Sequence, residues 1–321
     1  MGKHQNLEVW EFITAKFSAG IPVILLYVLH SEGSSPGRQG FKMAVAGDGD
    51  FMGTIGGGIM EFKFVETAKS FLHSSTDEQK VYRQVHDKDA GHDQSGMICS
   101  GEQTIFLYRL KAGDVQAIQA LVNSEKRSAN GTLELSNVGI RFSAQILTQH
   151  FEFTVSGENF ILKEKTGFKN TLHIIGGGHC ALALSKLMSG MNFYIIVYDE
   201  RPELNTMVQN EYAHQQVIVG SYREVGTVIQ SSSDSYVVIM TFGYRTDDIA
   251  LRALLDKDFK YIGVLGSSKK MEKMFNAYRR ENIPEERLAK IHAPIGIHIH
   301  SRTAAEIAVS IAAEMIKVKN G

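Results

Sequence analysis

Apolar and polar positions follow two different rhythms along this chain. Val9, Trp10, Ile13 and Phe17 recur at helical spacing and predict an amphipathic helix over about 6–19. The unbroken apolar run "IPVILLYVL" (21–29) is too short to span a bilayer and reads as a buried strand. Strands are predicted at 22–30, 41–46 and 51–55, with "GDGD" (47–50) turning between the last two. A helix over 59–72 follows, with Phe62, Val65 and Ala68 near helical spacing. Strands at 79–86 and 102–109 flank the polar loop "DKDAGHDQSGMICSG". A helix near 113–123 then leads into alternating segments, "TLELSNVGIRFSAQIL" and "FEFTVSGENFILKEK", that read as a small meander.

From Thr171 the rhythm becomes strand, turn, helix. Strand patterns at 171–175, 193–199, 216–220, 236–240 and 260–265 are each followed by a helical one, which predicts parallel βαβ units. A last helix over 304–317 opens with Thr303 and Glu306 at capping-box spacing and carries the stripe Ile307, Ile311, Met315. The expected architecture is α/β: a C-terminal Rossmann-like, doubly wound parallel sheet (169–321) preceded by an α+β N-terminal domain (1–168).

Composition narrows the function classes. The chain has 321 residues, 43% hydrophobic and 21% charged, with a net charge of −1, so no global electrostatic case exists for nucleic acid or an anionic membrane. The N-terminal stretch has no signal-peptide core, and the two cysteines, Cys99 and Cys180, lie far apart in sequence. A cytoplasmic protein with reduced thiols is expected, without a disulfide framework or a cysteine-rich zinc site.

Candidate chemistry gathers at two glycine triplets. "GTIGGGIME" (53–61) sets Gly56, Gly57 and Gly58 ahead of Glu61. Such a triplet serves either a turn needing positive φ or a row of bare N–H groups aimed at an anion. The second, Gly176-Gly177-Gly178-His179-Cys180-Ala181, fits G-x-G-x-x-[GA] at the end of a strand and the start of a helix. Asp199 ends the next strand, 23 positions after Gly176, in the range of a ribose-binding carboxylate. Asp199 could equally pair with the adjacent Arg201. Ser267, Ser268 and Lys269 open a further helix, either as anion-binding groups or as a capped, solvated first turn. His298 and His300 share a face if their segment is extended, but no third ligand lies near them in sequence, so no metal site is assigned.

The ordered set "HSEGSSPGRQGFKMAV" (30–45), "GTIGGGIME", "MICSGE" (97–102), "IIGGGHCALAL" (174–184), "YIGVLGSSKK" (261–270) and "APIGIHIHSRTAAEIAVSIAAE" (293–314) resembles the XdhC/CoxI family, whose members mature xanthine dehydrogenase and related molybdenum hydroxylases. The resemblance implies a chaperone that binds the molybdenum cofactor. It would hold the cofactor during sulfuration by a cysteine desulfurase and pass it to an apo molybdenum hydroxylase. It assigns cofactor binding to Gly56, Gly57, Gly58 and Glu61, and to Gly176, Gly177, Gly178 and Asp199; Ser267 and Lys269, read from their place at a helix start, are further cofactor-binding candidates. Cys99 is implied as sulfur acceptor or molybdenum ligand. The family's Cys-Gly-Gly is here Cys99-Ser100-Gly101, its Gly-Ser-Arg-Arg-Lys is Gly266-Ser267-Ser268-Lys269-Lys270, and His298 and His300 replace an acid and a glycine. A homodimer is expected.

Two cysteines cannot hold the several thiolate ligands that each iron–sulfur cluster of a xanthine dehydrogenase needs. The rival reading is an NAD(P)-dependent oxidoreductase, with His179, Tyr244 and His298 as candidate acid–base groups. Cys180, beside an apolar helix face, reads as a buried small hydrophobe.

Overall fold

A computed structural model describes residues 7–74, 79–85 and 101–321. The described chain divides into two compact units that meet in sequence at Gly167 and Phe168.

In the N-terminal unit, helix α1 (Leu7–Ser18) precedes strands β1 (Val23–Gly33), β2 (Lys42–Ala46) and β3 (Phe51–Gly53); helix α2 (Gly58–His73) leads to β4 (Gln79–Val85) and β5 (Gly101–Arg109). The five strands form a sheet in the order β3-β2-β1-β5-β4, every neighbouring pair antiparallel. Helix α3 (Asp114–Lys126) then leads into β6 (Gly131–Ser136), β7 (Gly139–Ser143), β8 (Phe151–Ser156) and β9 (Asn159–Thr166), a second antiparallel sheet in the order β7-β6-β9-β8.

Central strand β1 explains its own unbroken apolar run, because it is buried on both faces. Val23, Leu25, Tyr27 and Leu29 pack with Trp10 and Ile13 of α1, Ile118 and Leu121 of α3, and Leu133 and Leu162 of the second sheet. The alternate residues Ile24, Leu26 and Val28 pack with Met60, Phe64, Val65 and Ala68 of α2. Phe62, expected on the buried stripe of α2, is instead 68% exposed. The helix presents Met60, Phe64 and Ala68, spaced four apart, to the sheet, and a residue midway between the first two lies on the opposite side.

One charged cluster sits inside this apolar packing. Lys42 Nζ lies 3.2 Å from Glu164 Oε2 and over the rings of Trp10 and Tyr27, at 5.4 and 5.3 Å from their centroids. The Tyr27 hydroxyl donates a short hydrogen bond to the same carboxylate, and burial together with that charge pushes its pKa well up. Both members of the ion pair are almost fully buried, so each is the other's substitute for water.

In the C-terminal unit, β10 (Asn170–Ile175), β11 (Phe193–Asp199), β12 (Gln215–Ile218), β13 (Ser232–Ile239), β14 (Phe259–Val264) and β15 (Ile291–His292) form one sheet in the order β12-β11-β10-β13-β14-β15. All its pairs are parallel. Counted within the unit, the order is 3-2-1-4-5-6, the doubly wound arrangement with its switch point between β10 and β13. The connecting helices are α4 (His179–Ser189), the short α5 (Asn205–Val208) and α6 (Val225–Val228), then α7 (Tyr244–Arg252), α8 (Ser268–Arg280), the short α9 (Glu285–Leu288) and α10 (Ala304–Asn320). Leu172 and Ile174 of β10 face Leu184 and Met188 of α4 and Ile311 and Met315 of α10. On the other face, Ile175, Val237 and Ile239 pack with Leu251 of α7 and Met271, Met274 and Tyr278 of α8. The capping box at Thr303 and Glu306 is formed. Strand β15, with two residues, is too short to leave a periodic trace in the sequence.

Lys42→Met is expected to lower the stability of the N-terminal unit by about 3 kcal/mol, because it removes the Lys42 ammonium from beside the buried Glu164 carboxylate. Urea unfolding followed through Trp10, the chain's single tryptophan, measures this.

Candidate functional site

The N-terminal triplet is a turn before it is anything else. Gly56, Gly57 and Gly58 all have positive φ, at 128°, 77° and 69°, a run that side chains rarely tolerate. A Cβ on Gly56 would lie 2.6 Å from the amide nitrogen of Gly37 in the "SSPGRQG" loop. The amides of Ile55, Gly56 and Gly57 are already partnered. Glu61 Oε2 accepts from the N–H of Ile55 at 2.9 Å and of Gly57 at 3.0 Å, and from the Thr54 hydroxyl at 2.6 Å; Thr54 Oγ1 in turn accepts from the N–H of Gly56 at 3.1 Å. Glu61 therefore acts as an internal anion that fills the nest of amides.

Two further segments, the "SSPGRQG" loop and the start of β5, meet at this turn. The buried Gln103 side chain donates to the Ile55 carbonyl at 3.1 Å. Gly101, at the start of β5, lies so close to the "SSPGRQG" loop that a Cβ would come 2.6 Å from the Ser35 amide nitrogen. Cys99, two positions before Gly101, lies outside the described residues.

The C-terminal triplet divides its labour among three glycines. Gly176, at φ 104°, passes so near β13 that a Cβ would meet the Met240 carbonyl oxygen at 2.5 Å. Gly177 leaves no room beside Met207, and its N–H donates to Asp199 Oδ2 at 2.7 Å. Gly178 differs: its φ is −72°, and a Cβ there would meet nothing within 4 Å. No contact within the described protein requires a glycine at 178. It caps α4 without a side-chain acceptor, so no capping side chain takes up the first-turn amides of α4.

Asp199 ends β11 beside this turn, and its side chain is 0% exposed. Arg201 grips it as a fork, Nε to Oδ1 at 2.8 Å and Nη2 to Oδ2 at 2.9 Å, and the Arg201 N–H adds a bond to Oδ1 at 2.9 Å. Burial alone would raise the carboxyl's pKa. The Arg201 hydrogen bonds, the Gly177 and Arg201 amides and the guanidinium charge outweigh it and hold the group down to about 2. The pairing with Arg201 is thus realised.

The other rim residues sort themselves by burial. Ser267 is the N-cap of α8 and accepts from the Lys270 N–H at 3.3 Å, while Lys269 is exposed. Its neighbour Lys270 is the lysine that turns inward, donating a short hydrogen bond to the buried Asp247 and one of 2.9 Å to the Leu265 carbonyl. Asp247 also accepts from the N–H of Thr241 at 2.9 Å and its hydroxyl at 2.6 Å, which ties the loop after β13 to the loop after β14. Lys270, Asp247 and Thr241 stand in the "TFGYRTDD" and "GSSKK" motifs, but nothing in the sequence says which of two adjacent lysines turns inward. Cys180 is half-buried rather than fully buried, with its thiol pKa pushed up by burial. The rings of His298 and His300 lie 4.3 Å apart beside a cavity of about 440 Å³; among the described residues no three metal-ligating side chains converge.

Comparison with known proteins places these features in a family. A model described as the XdhC and CoxI family matches residues 17–83, and one described as the XdhC Rossmann domain matches residues 172–315. The chain belongs to the XdhC/CoxI family. The first match contains the Glu61 nest, and the second runs through the Gly176–Gly178 turn to α10. Curated relatives include an Escherichia coli protein named uncharacterized protein YqeB, 25% identical over 93% of this chain and 44% of its own. Another, from Bacillus subtilis, is named as a probable xanthine dehydrogenase subunit and is 26% identical over 47% of this chain and 43% of its own. The chain thus spans less than half the length of these relatives. A crystal structure of a Bacillus halodurans protein, described as a xanthine dehydrogenase, shares the fold with a TM-score of 0.70 at 22% identity, covering 98% of this chain and 96% of that one.

Gly176→Ala in this XdhC-family chain is expected to destabilise the C-terminal unit by about 2 kcal/mol or more through its positive φ and the Met240 clash. Gly178→Ala should stay within about 0.5 kcal/mol of the parent, as an unstrained surface change does. Chemical unfolding of the two variants tests the contrast. The depressed Asp199 carboxyl sets a pH dependence. Its contribution, roughly 2 kcal/mol, is complete above the unfolded carboxyl value near 4 and is lost as the pH falls through about 2. His173, which burial holds down to about 4, titrates nearby, so the carboxylate is isolated by comparing unfolding of the parent and Asp199→Asn between about pH 5 and pH 2.

Proposed function

We propose that this chain is a maturation factor for a molybdenum hydroxylase of the xanthine dehydrogenase type, holding molybdenum cofactor before its delivery. The observation that carries the reading is the presence, in order on one chain, of both an XdhC/CoxI match and an XdhC Rossmann match. The Bacillus subtilis relative, whose name refers to xanthine dehydrogenase, points the same way.

Molybdenum cofactor carries a phosphate, a flat polar pterin and a sulfur-bound metal. The space left open at Gly178, ahead of the uncapped amides of α4, suits a phosphate. The Gly56–Gly58 turn has its amides at positions 55, 56 and 57 partnered internally, so its part is to fix the loops around it. In this reading Cys99 supplies the thiol, as sulfur acceptor or molybdenum ligand, because a soft thiolate suits molybdenum and sulfur transfer. A cysteine desulfurase is the sulfur donor, and the apo-hydroxylase is the receiving partner. When bound, the cofactor would supply the redox metal that the hydroxylase needs.

Co-expression with a target apo-hydroxylase in a molybdenum-replete host tests the proposal. The purified chain is expected to carry molybdenum and a pterin whose oxidised form fluoresces. Cys99→Ser is expected to lower activation of the target by at least the roughly tenfold that losing a contact around a metal costs. A chain that copurifies with neither molybdenum nor pterin, and leaves hydroxylase activity unchanged when omitted, sinks the reading.

A further inference from the structure

We infer that the C-terminal unit recognises a nucleotide bearing a phosphate monoester on its ribose, and rejects the unmodified ribose diol. The selecting residues are Arg201 and Phe242. The inference goes beyond the maturation reading and does not rest on it.

The first ground is the saturation of Asp199. A carboxylate offers about four acceptor positions. Here they receive the Arg201 N–H and Nε on Oδ1, and the Gly177 N–H and Arg201 Nη2 on Oδ2. With a side chain at 0% exposure, Asp199 stands where a ribose-binding acid stands in this fold but has no acceptor left to give a diol. Both partners come from the immediate backbone and from a residue two positions on, so the arrangement is built into the turn.

The second ground is what replaces it. The Arg201 side chain is 42% exposed, and its Nη1 takes no part in the fork to Asp199. Its guanidinium carbon lies 5.1 Å from the centroid of Phe242, which is 65% exposed. Arg201 follows β11 and Phe242 follows β13, the two strands that flank β10. The guanidinium therefore spans the loops on either side of the Gly176–Gly178 turn, at the carboxyl ends of the strands where this fold takes ligands. Asp199 neutralises part of its charge while fixing the plane, which leaves an oriented outer N–H edge suited to a phosphate. An exposed aromatic face beneath a guanidinium also offers a stacking surface for a flat base. The open position at Gly178 gives the ligand's other phosphates access to the α4 amides.

Calorimetric titration of the full chain with NADP⁺, NAD⁺, 2′,5′-ADP and 5′-AMP tests the inference. The 2′-phosphorylated member of each pair is expected to bind about tenfold or more tightly, the scale of one charge-assisted, bidentate phosphate contact. Phe242→Ala, a change at an exposed position, is expected to weaken all four ligands while keeping their order. Arg201→Lys is expected to shrink the ratio within each pair by about tenfold while the protein stays folded, as checked by circular dichroism. Equal affinities within the pairs, preference for the diols, absence of binding by all four, or a ratio unchanged in Arg201→Lys would each overturn it. Loss of nucleotide binding would leave the cofactor-copurification result untouched, so the two readings fail separately.

Discussion

Each glycine triplet in this protein is held by a carboxylate of the same chain. A run of side-chain-free residues lets backbone N–H groups point to one place, and buried N–H groups must find acceptors. Glu61 meets that demand for Ile55 and Gly57 in the N-terminal unit, and Asp199 meets it for Gly177 in the C-terminal unit. Without these carboxylates the turns would depend on water or ligand to keep their shape, and the loops packed against them would lose their reference. The "SSPGRQG" loop at Gly37, the Ile55 carbonyl bound by Gln103 and the fork of Arg201 all take their positions from those two acids.

The two units put the same device to different ends. In the N-terminal unit Thr54 and Glu61 together occupy three successive amides. The turn is thereby a rigid seat for the loop of Gly37 and the start of β5. In the C-terminal unit the internal anion engages only the middle glycine, Gly177, and α4 starts without a capping side chain at Gly178, where a Cβ would meet nothing within 4 Å. The internal acid also recruits Arg201 and so turns a negative position into one with a cationic outer edge. A second buried carboxylate, Asp247, fixes the neighbouring rim through Thr241 and Lys270, which limits how far the loops after β13 and β14 can move independently. Such partly buried pairs contribute position more than stability, since the cost of drying both charges offsets most of their attraction.

Much of this is legible in the sequence because it is periodic or local. The continuous apolar run of β1, the strand–helix alternation from Thr171, the capping box at Thr303 and the G-x-G-x-x-[GA] turn depend on neighbours a few residues apart, and the structure contains each of them. The competing local readings of Asp199 and Ser267 are visible there too: pairing with Arg201 for one, helix capping for the other. Phe62 is misplaced by spacing alone, because its distance from Val65 and Ala68 suits a helix in general and only the position of the sheet decides which side is buried.

The sequence by itself determined the family, the elements and the set of residues able to carry chemistry, because these follow from pattern and spacing along one chain. Tertiary structure decided which of those residues are already occupied. That Glu61 folds back onto its own glycines, that Lys270 rather than Lys269 turns inward and that Asp199 has no acceptor left over depend on atoms brought within about 3 Å by packing. A hydrogen bond is a property of position in space, and the same glutamate, lysine or aspartate is written identically whether its partner is water or the chain itself.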